Sequence, residues 1–407
     1  MKTIDFLVEN GFVLDGSNRE KIAAAFDAEI TAGLAGRPST LRMLPANLSG
    51  DERPLTGVPA VVIDAGGTNL RVASVTLSEK GPQIRHLRKT FMPGTRGELT
   101  AEAFHSSVAT EADRVFAAEP AADRLGYCFS YECASLPDHD ARLIAWSKAV
   151  AVPEAVGQCV GAELVRRLVR KPSSFAVLND TVATLLAGRA NAPDRRYSGY
   201  LGFILGTGTN IACVEDGMIR NAESGDFGAI DRSAFDVRFD ATTADPGVAP
   251  FEKMIGGGFL GGLGLTILKS AAEKGLLGEG VMRLSDLSTR DLDDFAAGTA
   301  DMANPLVAVL QEPERDCARE LARAVFVRAA NLTGIHLAAF LRRCPPSDDP
   351  VLITVDGSTF YKTRSVDFRA VAERELALLV PGRSYAFTRV DEAPMVGAAI
   401  AALMERH

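Results

Sequence analysis

Residues 59–79 read PAVVIDAGGTNLRVASVTLSE, and residues 200–216 read YLGFILGTGTNIACVED. Each is an apolar, β-branched run, a glycine turn ending in Thr-Asn, and a second apolar run, which is the pattern of two strands around a tight loop. With Thr68-Asn69 laid on Thr209-Asn210, the two segments lie 141 residues apart. One Gly-Thr-Asn loop alone reads equally well as an ordinary hairpin turn. Two with the same flanks imply an internal repeat. Around them strand patterns (RLGYCFS 124–130, FAVLN 175–179, VLITVD 351–356, SYAFTRV 384–390) alternate with helical ones at 154–170, 180–190, 314–343, 365–379 and 394–406. Alternation predicts α/β layers, and one strand-turn-strand unit per half predicts two similar domains facing each other across a cleft. Residues 1–50 read as helical, from Ile4, Phe6, Leu7, Phe12, Ile22, Phe26 and Ile30 at spacings of three and four. PANLSGDERPLTGV, 45–58, reads as a boundary rich in turn formers.

Composition narrows the function classes. The chain has 407 residues, enough for two or three domains, with 47% apolar and 24% charged residues, as expected of a folded globular protein. A net charge of -8 supplies no basic field for nucleic acid or an anionic membrane surface. The apolar stretches look short and broken by glycine or charge, against the roughly 20 residues that span a bilayer, so no transmembrane segment is expected. Six cysteines without a CxxC pair fit neither a zinc site nor a disulfide framework, and with no secretion signal they point to the cytoplasm.

The glycine turns carry the first chemistry. Gly66, Gly67, Thr68 and Asn69, like Gly206, Thr207, Gly208, Thr209 and Asn210, set Cβ-free backbone beside hydroxyl and amide donors, so several N–H groups can approach phosphate oxygens. Asp64 can hold Mg2+ through water, since that ion keeps several waters and takes few carboxylates. Arg71 adds positive charge. GxxxxGK[ST] is absent and the loops do not sit in a dinucleotide-binding context, so any phosphate clamp belongs to another fold. In LNDTVATLLAG, 178–188, Asn179 and Asp180 end an apolar strand where a helix starts. Asp180 reads either as an ordinary helix cap or as a base for a substrate hydroxyl at the carboxyl end of a strand. Asp356-Gly357-Ser358 reads as a plain turn or as an adenine or ribose contact.

Taken together, these motifs resemble the hexokinases of the sugar kinase, Hsp70 and actin superfamily. DAGGTNLRV (64–72) is similar to that family's first phosphate motif and GTGTN (206–210) to its second. FSY (129–131) and WSK (146–148) are similar to its sugar motif, and LNDTVAT (178–184) to its catalytic stretch. NAESGDFG (221–228), PGVAPFEKMIGG (246–257) and VDGS (355–358) follow in order. The resemblance implies two actin-like (ribonuclease H-like) domains, one of 51–179 plus 398–407 and one of 1–50 plus 180–397. It implies ATP-dependent phosphorylation of the 6-hydroxyl of a hexose, glucose foremost, then mannose or fructose, feeding glycolysis. Carried over, Ser130, Ser147, Lys148, Asn179, Asp180, Asn210, Glu223 and Glu252 face the hexose, a set of donors and acceptors suited to a ring of hydroxyls. Asp180 takes the hydroxyl proton and Lys148 reaches the transferring phosphoryl group. Asp64 helps hold Mg2+, Thr68, Asn69, Arg71 and Thr207 steady the phosphates, and Gly357 and Ser358 meet the adenosine.

Departures from the family pattern qualify this. Glu132 stands where proline is usual, Ser147 where threonine is, and Ala149-Val150 where glycine and phenylalanine are. GGGFLGGLGL, 256–265, has glycine at 262 in place of an acid, and at about 1 kcal/mol per interior glycine it should be soft or irregular as a helix. DEAPMVGAA, 391–399, replaces an acidic, glycine-serine-rich stretch that contacts nucleotide, which implies a remodelled donor site. The alternatives are a non-catalytic sugar sensor on the same fold, a kinase using another phosphoryl donor, and, disfavoured by the sugar motifs, an actin-like ATPase.

Overall fold

The computed structural model describes residues 2–50, 52–146, 150–190 and 196–404. Its strands are β1 (Leu44–Ser49), β2 (Pro59–Ala65), β3 (Asn69–Ser78), β4 (Gly81–Phe91), β5 (Arg124–Phe129), β6 (Glu132–Ser135), β7 (Ala141–Ala145), β8 (Ser174–Leu178), β9 (Gly199–Leu205), β10 (Thr209–Glu215), β11 (Met218–Asn221), β12 (Val351–Asp356) and β13 (Tyr385–Thr388). They form a five-stranded sheet in the order β4-β3-β2-β5-β8, a six-stranded sheet in the order β1-β11-β10-β9-β12-β13, and the hairpin β6-β7.

The repeat in the sequence is a repeat of topology. In the first sheet β4, β3 and β2 run antiparallel to one another, and β5 and β8 then add in parallel. In the second, β11, β10 and β9 are antiparallel and β12 and β13 add in parallel. The one extra strand is β1, paired with β11. This corrects the helical reading of residues 1–50: helices Thr3–Glu9 and Gly16–Leu34 form, but 44–49 extend because β11 offers an open edge, a tertiary partner that local periodicity cannot reveal.

The helices that follow the last strand of each sheet exchange places. Asp180–Ala190 leaves β8 of the first sheet and packs on β9, β12 and β10 of the second, whereas Ala393–Leu403 leaves β13 of the second and packs on β5, β2 and β8 of the first. The two cross with Gly397 on Ala183, so close that a Cβ on Gly397 would lie 2.1 Å from the Ala183 carbonyl oxygen. A Cβ on Gly126 of β5 would likewise meet the Ala398 carbonyl at 2.1 Å. Alanine-rich helices with these gaps let one apolar cluster run through both sheets, from Ala60 and Cys128 to Leu185, Ala212 and Ile400.

A second cluster fills the half built on the six-stranded sheet, around helix Glu312–Arg343. That helix is long and apolar enough by length and composition to cross a membrane, so the expectation of only short apolar stretches understated it; 83% of its most apolar window is buried inside this fold. The glycine-rich stretch is also corrected. Residues Leu260–Glu273 form an unbroken helix, because Gly262 lies under the Phe239 ring and Gly264 under Leu292, where a Cβ would come within 2.5 and 2.3 Å. Close packing offsets the propensity cost. The helix expected at 154–170 is two pieces, Pro153–Ala155 and Val160–Arg167, parted by Gly157 at φ +86°.

Gly397→Ala should lower unfolding stability by about 2 kcal/mol in urea denaturation, since the added methyl meets fixed backbone; an unchanged midpoint would show that the crossing tolerates more space than the structure gives it.

Candidate functional site

A glycine loop lies at the carboxyl end of the central strand of each half, β2 and β9. Gly66-Gly67-Thr68 joins β2 to β3, with the Gly66 amide donating to the Asn69 carbonyl at 3.1 Å. The loop is pinned from the side: Tyr131 Oη donates to the Gly66 carbonyl at 2.7 Å, and the Ser130 amide to the Ala65 carbonyl at 3.2 Å. Gly206-Thr207-Gly208 joins β9 to β10. The Gly257 amide and Thr359 Oγ1 both donate to the Gly206 carbonyl, and the Gly258 amide donates to that of Thr207. Gly357, at φ +129°, seats the end of β12 against this loop, where a Cβ would lie 2.2 Å from the Leu205 carbonyl. Ser358, exposed, opens the next helix. In each loop the carbonyls are tied down from behind while Thr68 and Thr207 point to solvent.

Asp180 is the first residue of its helix, but the cap is Asn179, whose Oδ1 accepts the Thr181 amide at 2.8 Å. The sequence left capping and catalysis open for Asp180; the structure gives the capping to its neighbour. Asp180 is placed instead among acids. Its charge raises the carboxyls of Asp64, Glu223 and Asp356, which come from β2, the turn after β11, and the end of β12. For all three the larger cause is burial, which disfavours the charged form.

Arg71 answers part of this field. Its Nη2 and Nε lie 2.5 and 2.7 Å from Asp64 Oδ2, and Nη1 pairs with Glu392 at the head of helix Ala393–Leu403. Asp64 is still raised, because burial outweighs the pull of Arg71 and the charges of Asp180 and Glu392 push the same way. The sequence reading gave Arg71 to the phosphates; in the structure the guanidinium is engaged by two carboxylates. Among the described residues no group of three or more His, Cys, Asp or Glu side chains could hold a metal ion. No disulfide joins the six cysteines, as expected.

The opposite wall is an amide-carboxylate network. Asn210 Nδ2 donates to Asn221 Oδ1 at 2.8 Å, and Asn221 Nδ2 donates to Glu223 Oε1 at 2.7 Å. Asn210 Oδ1 accepts the amides of Ile211 and Ser224. Glu223 sits at φ +53°, a strained conformation for a non-glycine residue, and its carboxyl is pushed up to about 7 by burial, against the pull of Arg42 and the Asn221 bond. Glu252 Oε2 accepts the Thr209 amide at 2.9 Å, tying the second loop to the same wall. A solvent-open pocket lies beside it, lined by Tyr131, Asn179, Asn221 and Glu223 among others. Trp146, read as packing near the sugar motif, contacts Phe104, Phe129 and Tyr131 and donates to the Val152 carbonyl.

The structure thus brings together Asp64, Asp180, Asn179, Ser130, Asn210, Glu223, Glu252 and both glycine loops. Ser147 and Lys148 lie outside the described residues. Sequence reasoning missed Asn221 and Arg42 as parts of this site. Asn221 stood inside a quoted motif, while Arg42 has no local signal at all.

Two sequence models of the hexokinase family match residues 7–190 and 200–404. Hexokinase-1 of Schizosaccharomyces pombe is 26% identical over 440 residues, covering 98% of this chain and 90% of that protein. Hexokinase-1 of Arabidopsis thaliana is 34% identical over 303 residues, which span 65% of this chain and 59% of that protein. The solved hexokinase from Schistosoma mansoni complexed with glucose superimposes with a TM-score of 0.83 at 26% identity, covering 98% of each chain. A hexokinase of the ROK class from Thermus thermophilus shares the fold at a TM-score of 0.55 and 15% identity, over 85% of this chain and 98% of that one.

The raised Glu223 carboxyl has a stability consequence. Its folded value of about 7 exceeds the ordinary 4.5, so the unfolded chain releases this proton first and stability falls as pH rises through 4.5 to 7. Glu223→Gln should therefore match wild type near pH 4.5 and exceed it by about 3 kcal/mol at pH 8. Equal urea midpoints at pH 8 would contradict the burial of this carboxylate.

Proposed function

This chain belongs to the hexokinase family, and on that premise we propose that it transfers the γ-phosphoryl group of ATP to the 6-hydroxyl of a hexose, with glucose the first candidate, and so feeds glycolysis. The observation that carries this reading is the position of Asp180. It stands just past the carboxyl end of β8, where its charge reaches Asp64 ahead of one glycine loop, Asp356 at the end of β12, and Glu223 of the amide-carboxylate wall.

Asn210, Glu223, Glu252, Asn179 and Ser130 would accept from and donate to the sugar hydroxyls and leave the primary hydroxyl at Asp180. Asp180 takes its proton as the oxygen attacks phosphorus, the role of a general base held within reach of the substrate hydroxyl. Backbone amides at Gly67–Thr68 and Thr207–Gly208 would hold the phosphate oxygens in line, with Thr68 and Thr207 at the rim. Positioning and charge stabilisation supply most of the rate in such a transfer. Ser147 and Lys148 follow Trp146 in the sequence, and by family resemblance we assign them the sugar and the transferring phosphoryl group.

The donor set fits magnesium. Asp64 is a nearly buried carboxylate beside the Asp180 charge, and a divalent ion held through water would relieve their repulsion while neutralising charge on the β- and γ-phosphates. Adenosine would lie against Gly357 and Ser358. Because Glu392 takes part of Arg71, a donor other than ATP is the second reading.

The half built on β2–β5 and β8 should close on the other half about the crossing helices, excluding water as a rival acceptor. Glucose, mannose, fructose and N-acetylglucosamine should be assayed with ATP and magnesium, for wild type and Asp180→Ala. Turnover of at least one sugar is expected, reduced by a factor of about 100 or more in the variant. Hexose-dependent thermal stabilisation without turnover would overturn the kinase reading for a sugar sensor, and turnover only with another donor would overturn ATP.

A further inference from the structure

Arg42 lies in the segment before β1, outside every motif that pointed to the site, yet it spans the cleft. Its Nη1 is 2.7 Å from Glu132 Oε1, at the start of the β6-β7 hairpin, and its Nη2 is 3.1 Å from Asp226 Oδ2, in the turn that carries Glu223. Glu132 is the residue that stands where the family pattern leads one to expect proline. A second tie runs beside the first: Ser135 Oγ of β6 donates to the Ala46 carbonyl of β1 at 3.0 Å. The hairpin follows Ser130 in the chain, so whatever holds it bears on the placement of Ser130.

We propose that Arg42 is a positioning residue for hexose binding, clasping the β6-β7 hairpin through Glu132 and the Glu223 turn through Asp226. The three side chains are each about one-third exposed, so the clasp adds little stability. Its effect is on geometry and on the charge of Glu223. The groups facing Glu223 are Arg42 from the segment before β1, Asp180 at its helix start, Asp226 in its own turn, Cys133 on β6, and the amide of Asn221. Among these described residues, Arg42 supplies the positive charge. Glu132 competes for that cation, so it sets how much of the Arg42 charge reaches Glu223.

This proposal rests on the hexose reading of Glu223, and its test carries a readout that needs no turnover. Carbon-13 NMR of the Glu223 carboxyl should show its inflection raised by about one pH unit in Arg42→Ala. In Glu132→Gln it should move the other way. The ionised fraction falls about tenfold per pH unit below the inflection, so at pH 6 the hexose KM of Arg42→Ala should rise about tenfold, with kcat within about threefold of wild type. Arg42→Lys should restore most of the KM. Wild-type inflection and wild-type KM in both Arg42→Ala and Glu132→Gln would overturn the clasp. A shifted inflection in a wild-type background that turns over no hexose would overturn the hexose reading while upholding the clasp. Glu132→Gln removes an exposed carboxylate, so it keeps the test open should Arg42→Ala fail to fold.

Discussion

Everything in this molecule depends on one contact, the crossing of helix Asp180–Ala190 with helix Ala393–Leu403 where Gly397 rests on Ala183. Each helix grows from one sheet and packs on the other, so neither sheet's core is complete without a piece of its counterpart. The crossing is also why the site exists. It directs the carboxyl ends of β2, β5 and β8 toward those of β9 and β12, and it places the first residue of one crossing helix, Asp180, and the N-cap of the other, Glu392, in the cleft between them.

Charge is concentrated there at some cost. Asp64, Asp180, Glu223 and Asp356 come from four separate segments, and burial raises three of them before any mutual repulsion is counted. Against this field Arg71 pulls on Asp64 and Asp356, Arg389 on Asp356, and Arg42 on Glu223. An acid cluster with so little compensation is poorly suited to stability and well suited to binding a phosphate-bound cation and to accepting a proton. Stability is supplied elsewhere, by the aromatic and aliphatic core around helix Glu312–Arg343.

The sheets were legible in the sequence because strand pairing across a tight turn is a local matter: DAGGTN and GTGTN announce both hairpins, and the repeat of the motif announced the repeat of topology. The acids and amides of the site were legible through their motifs for the same reason. What escaped were effects of distant partners. Strand β1 forms only because β11 leaves an edge. The Gly262 helix forms because Phe239 and Leu292 need the room. The sequence offered Asp180 as the helix cap, and only the geometry gives that role to Asn179. Arg42 reaches Glu132 and Asp226 across 90 and 184 residues, a separation that no spacing rule encodes.

The most direct measurement is single-turnover phosphoryl transfer by Asp180→Asn, with hexose affinity followed in parallel through the fluorescence of Trp146, the sole tryptophan, which packs on Tyr131 beside the sugar motif. The account predicts hexose affinity within about threefold of wild type and transfer slowed by about 100-fold or more. Transfer at the wild-type rate, or a loss of rate fully matched by a loss of hexose affinity, would contradict the role of Asp180 as the proton acceptor around which this cleft is built.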